Sequence, residues 1–90
     1  MQKYLVEFLG TMFLVFVIFA TGNWAAIGAA LAIGALLGGP ISGGAYNPAV
    51  AISLYSAGKL AKADLIPYII VEILGGLAAF FVYKKFVNKA

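Results

Sequence analysis

The residues with chemistry to offer are few. Glu7 and Glu72 sit inside long apolar runs, where an ionisable group is costly enough to mark a functional position. Asn47 stands directly before Pro48 and Ala49 in the stretch SGGAYNPAVAIS, Ser42 to Ser53. A carboxylate in such a run can carry protons, or it can serve hydrogen-bond donors that have no other acceptor in a dry interior. Asn47 is a preferred N-cap, and Pro48, which lacks an amide proton, suits a first helical turn. A short helix is therefore predicted to start there, with the Asn47 amide free to donate outward. Cysteine and histidine are absent, which excludes a disulfide framework, a thiolate nucleophile, the usual zinc ligands and a histidine proton relay. No catalytic residue, metal or cofactor is implied, so the chain does not read as an enzyme.

The elements that must position these groups are membrane elements. Of 90 residues, 64% are hydrophobic and 10% charged, with 11 glycines, a balance far from that of a soluble domain. The first run, about residues 3–20, would span roughly 27 Å, enough to cross the hydrocarbon core. It is read as a span and not a cleavable signal, because Glu7 interrupts it and Ile18-Phe19-Ala20 is no small-x-small cleavage pattern. Thr21-Gly22-Asn23 reads as a turn. A second, Ala- and Gly-rich run covers about residues 24–38, stopped by Gly38-Gly39-Pro40. Its Gly28, Ala30, Ala32, Gly34 and Gly38 recur at four-residue spacings, which suits close helix approach in lipid, although Ala and Gly are common in such helices anyway. The third run covers about residues 65–83, and Asp64 before it is assigned to a solvated loop. Tyr4, Trp24, Tyr68 and Tyr83 fall near span ends, as aromatic belts do. The positive charge is all lysine, at positions 3, 59, 62, 84, 85 and 89. These lysines read as interfacial anchors and not as a nucleic-acid patch.

Between the second and third runs, about residues 39–57, the chain is too polar for a span and too apolar for an ordinary surface loop. A helix of about eight residues from Asn47 would reach roughly 12 Å, close to half of the core, so the segment can dip to the midplane and return if protein or water surrounds it. The positive end of that half-helix would repel cations and admit neutral hydrogen-bonding solutes. An interfacial loop with a simple Asn-Pro turn is the alternative. Three spans alone would leave a polar interior facing lipid, so self-association is expected.

The motifs EFLGT at Glu7 to Thr11, AIGAALAIG at Ala26 to Gly34, ISGGAYNPAV at Ile41 to Val50 and IIVEILGG at Ile69 to Gly76 occur in this order over nearly the whole chain. Together they resemble one half of a member of the aquaporin and glycerol-facilitator family. The resemblance implies an all-α membrane protein with three transmembrane helices plus one re-entrant half-helix, one half of the aquaporin-like fold, as a single repeat over residues 1–90. It implies a pore motif at Asn47, Pro48 and Ala49, and loop support from Glu7 and from Glu72, which stands where the family often has glutamine. Its constriction positions fall at Ile27, Ala35, Gly44 and Val50. Val50 replaces the family's arginine, and Ala45 its loop histidine, which implies a wider and more apolar filter than that of a strict water channel. Tyr46 either narrows the lumen or packs behind the loop.

A family pore needs two half-helices meeting nose to nose, and this sequence encodes one. The expected partner is a second copy inserted upside down in the lipid bilayer. Three lysines on each side nearly cancel the positive-inside bias and so permit dual topology. By resemblance, four such antiparallel dimers, eight chains, complete the assembly in a cell or inner membrane. The expected function is a passive channel for water and small neutral, glycerol-like solutes. Two alternatives stand beside it. One is a small dual-topology proton-coupled exporter using Glu7; the other is a non-conducting assembly subunit or a fragment of a longer channel, against which the Met1-Gln2-Lys3 start and the lysine-capped end are expected to speak.

Overall fold

A computed structural model describes residues 1–88, so Lys89 lies outside the described residues. The chain forms α1 (Gln2–Thr21), α2 (Trp24–Ser42), α3 (Pro48–Ser56) and α4 (Lys62–Phe86). The helices α1, α2 and α4 are long and apolar enough to cross a membrane, and α3 is too short to do so. The architecture is the all-helical set of three spans and one short helix that the sequence predicts.

Local chemistry sets most of the ends. Gly22 closes α1 in the left-handed region (φ 54) and donates its N–H to Ile18 O at 3.0 Å. Asn23 then caps α2, its Oδ1 accepting the Ala26 N–H at 2.9 Å. Contrary to the sequence reading, Gly38-Gly39-Pro40 does not stop α2, which runs on to Ser42 with Pro40 inside it. A proline forfeits one hydrogen bond but keeps a helical φ, and the true stop is Gly43, whose φ of 87 turns the chain while its N–H still reaches Gly39 O at 2.8 Å. The helix α4 likewise begins before the predicted run, at Lys62.

Helix α1 is the centre of the bundle, with α2 against one side and α4 against the other, while α3 packs on α4. α1 and α4 run parallel. Lys3 Nζ meets Asp64 Oδ2 at 2.8 Å at the near end, and at the far end Phe19 lies 5.8 Å from Phe80 and 5.5 Å from Tyr83, ring to ring. Their crossing is tight at Gly75, where an added Cβ would lie 3.2 Å from Thr11 Cβ and closer still to Phe8 O.

The buried face of α4 reads Asp64, Tyr68, Glu72, Gly75, Ala79, a stripe at spacings of four, four, three and four, which is helical. In a helix whose outer face meets lipid, the polar and small residues are the ones turned inward. This corrects two expectations. Asp64 is not in a solvated loop; it is buried in the first turn of α4, held by Lys3 and by the Tyr4 hydroxyl at 2.7 Å. Tyr68 is no interfacial anchor either, since it is buried and donates its hydroxyl to Ser42 O at 2.6 Å.

Candidate functional site

The site is assembled around Glu7, which is fully buried. After Gly43 the chain turns back along α1, and Glu7 collects the turn. Its Oε2 accepts the Ser42 hydroxyl at 2.7 Å and the Ala45 N–H at 3.0 Å, and its Oε1 accepts the Tyr46 N–H at 2.8 Å. Two loop amides that would otherwise be stranded in an apolar interior are thereby satisfied by one side chain, together with a hydroxyl that also lies 3.3 Å from Gly38 O. Ser42 Oγ also accepts the Gly44 N–H at 3.1 Å, so the last turn of α2 and the start of the loop share one polar knot.

Tyr46 has a positive φ of 56, a conformation that a bulky residue adopts only where its surroundings over-determine it. Those surroundings are visible. Its ring fills a slot made by three glycines, so that a Cβ on Gly10, Gly34 or Gly38 would collide with ring or hydroxyl atoms. Its hydroxyl donates to Gly34 O at 2.6 Å. Tyr46 is buried, with its ring between α1 and α2, and it also borders the groove shared by Asn47 and Glu72. The small-residue row of α2 thus receives a tyrosine ring at Gly34 and Gly38, whereas Gly28 has open space beside it.

The loop delivers Asn47 to the middle of the bundle. Asn47 and Pro48 border a groove shared with Thr11, halfway along α1, and Glu72, near the middle of α4. Asn47 is exposed and caps α3, its Oδ1 accepting the Ala49 N–H at 2.8 Å. This leaves its NH2 uncommitted, because no hydrogen bond of that group occurs among the described residues. From Asn47, α3 runs back to the near end, where Leu54 and the following Leu60 pack with Tyr4, Leu65 and the buried Ala45, Ala51 and Tyr68. With Pro48 at its first position and Asn47 as cap, α3 presents the positive end of its dipole to the groove.

Glu72 does not mirror Glu7. It is 1% exposed, yet neither carboxyl oxygen has a hydrogen-bond partner among the described residues, and Thr11 Oγ is in the same condition. No amide of its own loop reaches it. Among the constriction positions, Gly44 and Ala35 are neighbours: a Cβ on Gly44 would stand 3.5 Å from Ala35 Cα. Ile27 is half-buried in the first turn of α2 and Val50 is exposed in the first turn of α3, so one chain does not gather the four positions into a ring. Ser42, Tyr68, Gly10 and Gly75 were not singled out from sequence as site residues. The signal for Gly10 was its place three residues after Glu7, and for Tyr68 and Gly75 the inward stripe of α4.

A family model described as major intrinsic protein matches residues 1–90. Glycerol uptake facilitator protein-like 6 of Lactiplantibacillus plantarum is 42% identical over 97 aligned positions, covering 98% of this chain and 45% of the relative. Aquaporin Z of Brucella melitensis is 40% identical, covering 88% of this chain and 41% of the relative. Aquaporin AqpM of Methanothermobacter thermautotrophicus is 44% identical over 71% of this chain and 28% of its own length. The chain spans less than half the length of these curated relatives. No solved structure matches it.

Proposed function

Because the chain belongs to the major intrinsic protein family, we propose that it forms a passive membrane channel for water and small neutral, glycerol-like solutes, each pore being built from two of these three-span units inserted in opposite orientations. The solute class follows the relatives, which are named for glycerol uptake and as aquaporins. The inverted pair follows from arithmetic: α3 has nine residues, about 14 Å of helix, and so covers roughly half of a ~30 Å core. Something must cover the other half, because irregular backbone at membrane depth needs protein or water around it.

The observation that carries the reading is the state of Asn47. A rigid knot at Glu7 and Tyr46 holds the loop, Asn47 spends its oxygen on the cap, and its NH2 is left as a donor at mid-depth beside a helix N-terminus. Such a donor set favours a neutral solute that can accept a hydrogen bond and disfavours a cation. Ile27, Ala35, Gly44 and Val50 then set an apolar constriction without an arginine, wide enough for a polyol. Four such pairs, eight chains, form the full assembly. A proton-carrying Glu7 has less support, since its two oxygens already accept three hydrogen bonds and no surface reaches it.

Proteoliposomes test this. Glycerol-driven swelling and osmotic shrinkage, both well above empty vesicles and unchanged by a pH gradient, are expected. Transport that requires the gradient would favour the exporter, and no flux in either condition would favour an assembly subunit. Asn47→Asp sharpens the test: a carboxylate at the nose is expected to raise cation leak and lower solute flux, and a variant unchanged in both would remove Asn47 from the pore.

A further inference from the structure

Helices α1 and α4 face each other with two acids at one level. The Tyr4 and Tyr68 rings meet at 6.0 Å, and about two turns further on Thr11 stands against Gly75 at the tight crossing. Glu7 lies between Tyr4 and Thr11 along α1, and Glu72 between Tyr68 and Gly75 along α4, both at helical spacings of three and four. The parallel helices therefore set one glutamate opposite the other. Both are buried, at 0% and 1% exposure, and their carboxyl groups come within hydrogen-bonding reach of each other. Two carboxylates so placed repel, and neither has a donor to offer the other.

No cation offsets that repulsion. The described lysines stand at helix ends or in the α3–α4 connection, with Lys3 engaged by Asp64. Helix α2 has no ionisable side chain, and α3 has only the exposed Tyr55. Tyr68, on the same helix as Glu72, spends its hydroxyl proton on Ser42 O, and Tyr46, which borders the groove with Glu72, spends its own on Gly34 O. Two buried acids in such surroundings do not both ionise.

Which acid keeps its proton follows from the donors around each. Glu7 Oε2 accepts the Ser42 hydroxyl and the Ala45 N–H, and Oε1 accepts the Tyr46 N–H. Such donors favour the ionised form. An ionised carboxylate offers about four lone-pair sites, so one on Oε1 is still open. Glu72 receives no donor among the described residues.

We infer that Glu72 is a neutral carboxylic acid that donates its proton to the Glu7 carboxylate, and is thereby a positioning residue for the loop that delivers Asn47. The pair then carries one negative charge, held by four donors. Glu72 acts on Asn47 through Glu7 and the amides of Ala45 and Tyr46, and its second oxygen stays at the groove with Thr11 Oγ. The inference builds on the channel reading, to which it adds an uncharged groove floor beside Asn47, where an ionised Glu72 would draw cations toward the end of α3.

Infrared absorption tests this directly, because the chain has three acidic side chains, Glu7, Asp64 and Glu72, and Asp64 is paired with Lys3. In dodecyl maltoside, a detergent without ester carbonyls, the unaltered protein at neutral pH is expected to show a carboxylic-acid C=O band that shifts in heavy water and vanishes in Glu72→Gln. Glutamine keeps a donor for Glu7; methionine, of similar size, does not. Exchange of the Ala45 and Tyr46 amide protons is therefore expected to stay within about twofold of the parent in Glu72→Gln and to quicken about tenfold in Glu72→Met. A missing acid band, or one that survives Glu72→Gln, overturns the placement of the proton. Equal exchange in the two variants overturns the positioning role. Glycerol-driven swelling of vesicles bearing the unaltered chain is read separately: swelling without the band removes the acid pair and leaves the channel, whereas the band without swelling removes the channel and leaves the pair.

Discussion

The two buried glutamates occupy similar depths on neighbouring helices, yet their surroundings are opposite. Glu7 holds a hydroxyl and two loop amides, whereas Glu72 and its neighbour Thr11 hold nothing among the described residues. The same contrast divides α4 along its length, covered by α3 and Tyr68 packing on the near half and bare along the groove of the far half. Polar groups buried inside a membrane bundle are tolerated only when partnered. One half of this molecule is therefore finished, and the other keeps buried polar groups without a hydrogen-bond partner among the described residues.

Attacking the finished half should do the most damage. Glu7→Ala strands two buried loop amides at about 1–3 kcal/mol each, the Ser42 hydroxyl keeping Gly38 O as an acceptor, so a loss of at least about 2 kcal/mol is expected, read as a collapse of the unfolding midpoint in detergent and as poor accumulation in the membrane. If Glu7→Ala instead proves harmless, the contrast between the glutamates disappears. Next in size is the glycine slot. Gly10→Ala drives a methyl into the Tyr46 ring and should cost about 1–3 kcal/mol. Combining it with Tyr46→Ala should give less than the sum of the single losses, because the collision vanishes with the ring. Additive losses would mean that Gly10 matters for some other reason. The smallest effect is expected at the near end of the finished half, where the buried Asp64 pairs with the partly exposed Lys3. Asp64→Asn removes the acceptor of Lys3 and weakens that of Tyr4, and the difference from the parent chain should shrink as salt is raised.

What could be read in advance follows the same division. The spans, the Thr21-Gly22-Asn23 turn and the Asn47 cap of α3 are governed by hydropathy and by residues within a turn of each other, and sequence carries that information directly. Pro40 misled because its helical φ is compatible with continuation, and the ending depends on Gly43 three residues later. Asp64 and Tyr68 misled because their partners, Lys3, Tyr4 and Ser42, lie 26 to 61 residues away. The slot that takes the Tyr46 ring was not legible locally, since it is built from two other helices. The inward stripe of α4 was legible in principle: in a lipid-facing helix, the aligned polar and small residues mark the interior.

The central claim is that the unfinished half is completed by a copy inserted the other way up. Orientation can be counted directly. Ser56→Cys places a single thiol at the exposed near end of α3, and sealed vesicles bearing this variant can be labelled with an impermeant maleimide before and after permeabilisation. About half of the thiols are expected to react from outside and the rest only after opening, with both populations present in purified pairs. Labelling of all copies from one side alone would contradict it.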